Sequence, residues 1–254
     1  MKRKYLILTF IVTLILIVST SLVAHAEPTN LTVPKVNISV DGSESPKEYV
    51  ENIKIFLFLT ALSVLPSLIL TMTSFTRISV VFGFLRNALG TQQAPSNQIL
   101  IGLSLFLTIF VMAPTFTNIN NDAIKPYTEE KISQEEAIDI GSGYLKKFML
   151  KQTRQKDLKM FMDINGVSEK VKNEDLPMIA VIPAFIISEL KTAFTIGFLL
   201  YLPFLIIDIV VGSILMSMGM MMIPPMMISL PFKLLLFVMV DGWNLIVKSL
   251  IMGF

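Results

Sequence analysis

The sequence contains no cysteine, and its one histidine, His25, lies in an N-terminal segment expected to be removed. These absences exclude thiolate nucleophiles, Ser-His-Asp hydrolysis, zinc sites of the usual N/S type and histidine-ligated haem. No metal, no cofactor and no enzymatic activity are therefore expected. Charge is also scarce, at 16% of residues. The formal net charge is +2, and Lys2, Arg3 and Lys4 alone supply three positive charges. The remainder is close to neutral, which argues against a nucleic-acid partner.

What is present is apolar. With 53% hydrophobic residues and a mean hydropathy of +0.69, the chain falls outside the composition of soluble domains and belongs in a membrane. Residues 1–26 combine a basic start, an apolar run from Tyr5 to Val18 and an A-x-A motif at Ala24 and Ala26, the pattern of a cleavable signal peptide. Residues 27–51 are polar and carry Pro28, Pro34 and Pro46, which predicts an extended arm outside the membrane.

Two apolar runs of spanning length, Ile53 to Met72 and Gln98 to Thr117, predict a first helical hairpin over 52–118. The connection between them holds Arg77 and Arg86 and no acid, so the positive-inside bias places it in the cytoplasm and the mature N-terminus outside. Residues 119–177 form a polar insert. Ser133 and Glu136 fit a capping box, and Leu145, Phe148, Met149 and Leu158, Phe161, Met162 recur at i, i+3, i+4 before Asn165-Gly166. An amphipathic helical insert is predicted, either a solvated connector or a packing surface for neighbouring copies.

Residues 178–254 are apolar but carry Glu189, Lys191, Asp208, Lys233 and Asp241, and are interrupted by Pro183, Pro203, Pro224, Pro225 and Pro231. A central charge costs about 2.5 to 3.5 kcal/mol on insertion scales, whereas each Leu, Ile, Phe or Val returns only about 0.3 to 0.6. Over residues 184–211 these nearly cancel. Such a segment needs protein neighbours or a hydrated cavity around its charges. Glu189 and Lys191 are two apart and point to nearly opposite faces of a helix, so each must find a partner elsewhere. The fold class implied is all-α: a polytopic membrane protein with helical hairpins, proline-broken C-terminal helices and a helical polar insert.

The strings TMTSFTR (71–77), FLRNALGTQQAPSNQ (84–98), PAFIISELKTAFTIGF (183–198), MSMGMMMIPP (216–225) and ISLPFKLLLFVMVDGW (228–243) resemble the FliP family, which includes the R-type subunits of type III injectisomes. Thr195 departs from the family pattern, where a charged or longer polar residue is more usual. The resemblance implies a subunit of the flagellar protein-export gate, forming with FliQ, FliR and further copies of itself a helical channel at the basal body. FlhA and FlhB would lie beside it, and unfolded flagellar proteins would pass through. It also implies that helices of spanning length are largely lifted out of the bilayer plane in the assembled complex. The signal peptide and the long insert favour the flagellar branch over the injectisome branch.

Met220, Met221 and Met222 stand between Gly219 and the Pro224-Pro225 pair, brackets that disfavour continuous helix and predict a loop. Unbranched, polarizable thioethers from several copies would close against ions yet deform around chains of any sequence, and by resemblance these positions match the family's pore gasket. Three other readings compete. Asp208 and Asp241 are two intramembrane carboxylates that could share a proton as in aspartyl proteases, although no Gly-x-Gly-Asp string is present. Proline-broken helices with buried charge also mark small-solute transporters, although no inverted repeat is visible. Clustered methionines bind Cu(I), although His and Cys ligands are lacking.

Overall fold

A computed structural model describes residues 46–91, 94–166, 175–220 and 223–254. The expected signal peptide, with Ala24 and Ala26, lies outside the described residues. So does the arm up to residue 45. The chain divides into two units, residues 1–58 and 59–254. Helix α1 (Pro46–Thr71) begins within the stretch expected to be extended, so residues 46–51 are helical.

The second unit carries the remaining elements. They are α2 (Phe75–Leu89), α3 (Asn97–Ile119), a π-helical turn (Asn120–Ile124), α4 (Lys125–Thr128), α5 (Gln134–Gln152), α6 (Gln155–Ile164), α7 (Met178–Ser217), α8 (Pro225–Met239) and α9 (Gly242–Met252). No strand occurs among the described residues. Helices 52–71, 97–128 and 178–217 are long and apolar enough to cross a membrane, and α8 with α9 forms a fourth candidate bent by 62°.

The connection expected between the two runs of the first hairpin is itself a helix. Ile78, Val81, Phe82, Leu85, Ala88 and Leu89 recur at helical spacing along α2 and are all buried. They form the centre of the main core with Leu100 of α3, Ala193 and Phe204 of α7, Phe237 of α8, and Ile246 and Leu250 of α9. Gly90 ends α2 with φ +76°, its N–H donating to the Asn87 carbonyl, a left-handed cap that a residue with a Cβ adopts only at a cost. On α3, the buried hydroxyls of Ser104 and Thr108 donate to the carbonyls of Leu100 and Ser104, which satisfies them without a partner helix.

The polar insert folds onto the same body. Ser133 Oγ accepts the Glu136 N–H at 3.2 Å and starts α5. Met149, Leu158 and Met162 are buried against Val181, Ala184 and Phe185 of α7, so the insert's apolar stripe is used within the chain. Helix α6 ends at Asn165 and Gly166, where φ is +66°.

Helix α7 runs 40 residues without a break, through both Pro183 and Pro203. The interruptions expected at these prolines are absent. A proline removes one N–H donor from the ladder, and α2, α5, α6 and α8 pack along α7 and hold its axis. Pro231 is likewise inside α8, and helix is left after Ser217, where α7 ends, and at 240–241. At 1.5 Å per residue α7 is about 60 Å long, twice the roughly 30 Å hydrocarbon thickness of a bilayer.

Candidate functional site

Three polar clusters hold Arg77 with Glu189, Lys233 with Asp208, and Asp157 with Arg154 and Ser188. Arg77 sits in the first turn of α2 and Glu189 in the first half of α7, and both are nearly inaccessible. The Arg77 Nε–H donates to Glu189 Oε2 at 2.9 Å, and Nη2 donates to Oε1, a two-point fork. The remaining donors reach the Gly253 carbonyl at 2.9 Å and Gln152 Oε1 at 3.0 Å, and the guanidinium lies 3.9 Å from the Phe254 ring centre. One side chain thereby fastens α2, α5, α7 and the segment after α9. Because Arg77 is buried and paired, it is not a free loop charge of the kind the positive-inside bias counts.

Lys233 of α8 forms the second cluster. Its Nζ donates to Asp208 Oδ2 of α7 at 2.6 Å and to the Ala88 carbonyl at 3.2 Å, and Ser229 Oγ donates to Asp208 Oδ1 at 2.6 Å. The ammonium therefore meets both a carboxylate and the carbonyl end of α2, where a cation is favoured.

The third cluster joins insert to α7. Ser188 Oγ donates to Asp157 Oδ2 at 2.6 Å and accepts the Arg154 backbone N–H at 3.1 Å, while Arg154 Nε donates to the same carboxylate at 2.8 Å. Burial pushes the Asp157 carboxyl up. The hydrogen bonds from Ser188 and Arg154, the Arg154 charge and the nearby Lys191 outweigh it and hold the group below the usual carboxylate range.

Of the five charges singled out in the sequence, Glu189, Asp208 and Lys233 are thus paired inside the chain. Lys191 and Asp241 are exposed on the single chain. Lys191 lies two positions from Glu189 and so faces away from α2. Asp241 occupies the bend between α8 and α9 at φ 49°, ψ 53° without a side-chain cap bond. This separates it from Asp208, which is bound to Lys233 and Ser229. Sequence reasoning missed Ser188, Asp157 and Gln152 altogether and read Arg77 only as a topological marker. An arginine inside an apolar helical period was the signal available for it.

Helix α7 ends at Ser217 and α8 begins at Pro225, and the described residues between them, 218–220 and 223–224, are not helical. Gly219 has φ +75° with its N–H on the Met216 carbonyl, and the Met220 N–H reaches the Leu215 carbonyl at 3.0 Å. Met220 is 38% exposed and contributes to neither core cluster. Met221 and Met222 lie outside the described residues. Among the described residues no group of three or more His, Cys, Asp or Glu side chains is placed to hold a metal.

The FliP family's sequence profile matches residues 58–250. A flagellar biosynthetic protein FliP of Bacillus subtilis (strain 168) is 54% identical over 217 residues, 85% of this chain and 98% of that protein. The protein of the same name from Aquifex aeolicus (strain VF5) is 53% identical over 207 residues, 81% of this chain and 87% of the relative. That of Buchnera aphidicola subsp. Acyrthosiphon pisum (strain APS) is 54% identical over 231 residues, 91% of this chain and 59% of the longer relative. The match extends across α2, α7 and α8, which supply all the buried charge pairs between helices of the apolar segments. The chain belongs to the FliP family.

Proposed function

We propose that this chain is a non-enzymatic membrane subunit of the flagellar protein-export gate. It assembles with FliQ, FliR and further copies of itself, beside FlhA and FlhB at the basal body, into the channel that unfolded flagellar proteins cross. The observation that carries the reading is the identity of 54% over nearly the whole of a protein named for flagellar biosynthesis. A physical feature supports it. Glu189 and Asp208 of α7 and Lys233 of α8 are satisfied internally, while Phe194, Phe198 and Ile206 of α7 are 56%, 62% and 62% exposed on a helix too long to be covered by one bilayer. Such a surface calls for neighbouring subunits.

In this reading Gly219, Met220, Met221 and Met222 form the compliant seal of the path. Gly219 supplies a left-handed turn just before Met220, at the end of α7. The polar insert and the mature N-terminus lie on the outer side.

Deletion of the gene should abolish secretion of flagellar subunits and motility, and a tagged chain should co-purify FliQ and FliR. Normal motility in the deletion strain, with loss of effector secretion instead, would move the chain to the injectisome branch. Because the chain lacks cysteine, single cysteines at Gln93 and Asp139 test the orientation. A membrane-impermeant maleimide should label only the second in intact cells, or in spheroplasts where an outer membrane is present.

A further inference from the structure

Helix α5 segregates its charge. Its acids, Glu135, Glu136 and Asp139, lie at the N-terminal end, and its bases, Lys146, Lys147 and Lys151, at the C-terminal end. Tyr144, Lys147 and Lys151 follow one another at i, i+3, i+7 and form a ridge. On one flank is an open cavity of about 770 Å³, walled by Phe110, Ala113 and Pro114 of α3, by Phe148, and by Ile251 and Phe254. On the other is a trough of about 570 Å³ beside Ile140, Gly143 and Leu150. Both share the three ridge residues.

The larger cavity opens onto α3, a helix of membrane-spanning length whose Phe106 and Phe110 are 75% and 65% exposed. An acyl chain lying along α3 therefore continues past Phe110, Val111, Ala113 and Pro114 into the cavity, whose polar members on α3 are Thr115 and Asn118. At its rim, Lys147 is exposed and Lys151 donates one of its three N–H groups to the Phe254 carbonyl oxygen at 2.6 Å, leaving further donors. The acid that faces the ridge, Asp122, is taken up by the Tyr144 hydroxyl.

We propose that this ridge and its two troughs bind an anionic phospholipid, with the phosphate on Lys147 and Lys151 and the acyl chains in the troughs on either side. A soluble anion would leave the apolar walls uncovered. A zwitterionic lipid would gain less from the lysines, each of which is worth about a fivefold preference for negative headgroup charge at a membrane surface.

The full chain, purified from membranes in mild detergent within the complex it forms, is mixed with palmitoyl-oleoyl phosphatidylglycerol or phosphatidylcholine and probed by native mass spectrometry. The phosphatidylglycerol adduct should exceed the phosphatidylcholine adduct about fivefold or more. Lys147→Gln should remove most of that preference while sparing the phosphatidylcholine adduct. Ala113→Trp, which fills the large cavity, and Gly143→Leu, placed where a Cβ meets open space, should lower both adducts. Millimolar glycerol phosphate should displace neither. Equal retention of the two lipids, or retention unchanged by these variants, would overturn the proposal. So would crosslinking of a cysteine at position 147 to another subunit in complexes that retain no lipid, since a protein would then occupy the cavity.

Discussion

Arg77 and Glu189 are 112 residues apart in sequence and meet as a forked ion pair with side-chain exposures of 4% and 0%. Removing one partner leaves the other charged and buried, a change that costs about 3–5 kcal/mol in other proteins. Arg77→Ala or Glu189→Ala should therefore lower the thermal midpoint of the detergent-solubilised chain sharply. Arg77→Met with Glu189→Leu should recover much of the loss, and Arg77→Lys little, because lysine cannot reproduce the fork and the bonds to Gln152 and Gly253. Equal midpoints for wild type and Arg77→Ala would show that the pair contributes nothing to the fold.

Lys233 serves two acceptors, Asp208 and the Ala88 carbonyl. Lys233→Ala strands both, whereas Asp208→Asn leaves the lysine bound to Ala88 and still offers it an amide oxygen. The first variant should be the more damaging, and hydrogen exchange at the end of α2 should rise in it alone. Faster exchange there in Asp208→Asn would show that the carboxylate, not the lysine, secures that end.

The Asp157 carboxyl is held below its ordinary range, so its contribution to stability has a definite sign. It is fully present above the unfolded-state value of about 3.9 and is lost as pH falls through the lower folded-state value. Between pH 5 and 8 the difference in stability between wild type and Asp157→Asn should be constant, and below about pH 4 it should shrink. A difference that shrank between pH 7 and 5 would contradict the lowered value.

Gly197 lies in α7 where a Cβ would come 2.5 Å from the Phe84 ring of α2. Phe84 itself packs edge-on to Phe194 at 5.1 Å between ring centres. Gly197→Ala should cost about 1–3 kcal/mol through the forced shift of that ring, and Phe84→Ala should relieve the penalty in the double variant. The additivity of the two changes in a melting experiment checks this, and simple additivity would exclude the clash.

Replacement of Met220, Met221 and Met222 together by Ala tests the proposed seal. Met220 is outside both core clusters, so the complex should still assemble. Cells carrying the triple variant should leak ions and grow slowly. Unaltered permeability with normal export would remove the gasket role.

Much of the architecture was legible in the sequence because it rests on short-range patterns. Spanning runs, the Ser133 cap and the i, i+3, i+4 stripe of the insert each depend on residues within a turn or two of one another. Helix α2 was not legible as a core helix, because its segment joins two longer apolar runs and its two arginines read as a cytoplasmic loop. Nor was the continuity of α7. A proline announces a missing hydrogen bond, but whether the axis breaks there depends on what packs along the helix, and α2, α5, α6 and α8 all pack on α7.

The sequence by itself determined that this protein is helical, apolar enough for a membrane and burdened with charges that require partners. Those properties rest on composition, periodicity and the cost of desolvating an ion, none of which needs long-range geometry. Only the tertiary structure decided which partners they take. An ion pair forms over a few ångströms, and whether Glu189 meets Arg77 across 112 residues, or Asp208 meets Lys233 across 25, is fixed by how α2, α7 and α8 pack. The same packing left Lys191 and Asp241 exposed, with Lys191 close enough to Asp157 of the insert for its charge to be felt there.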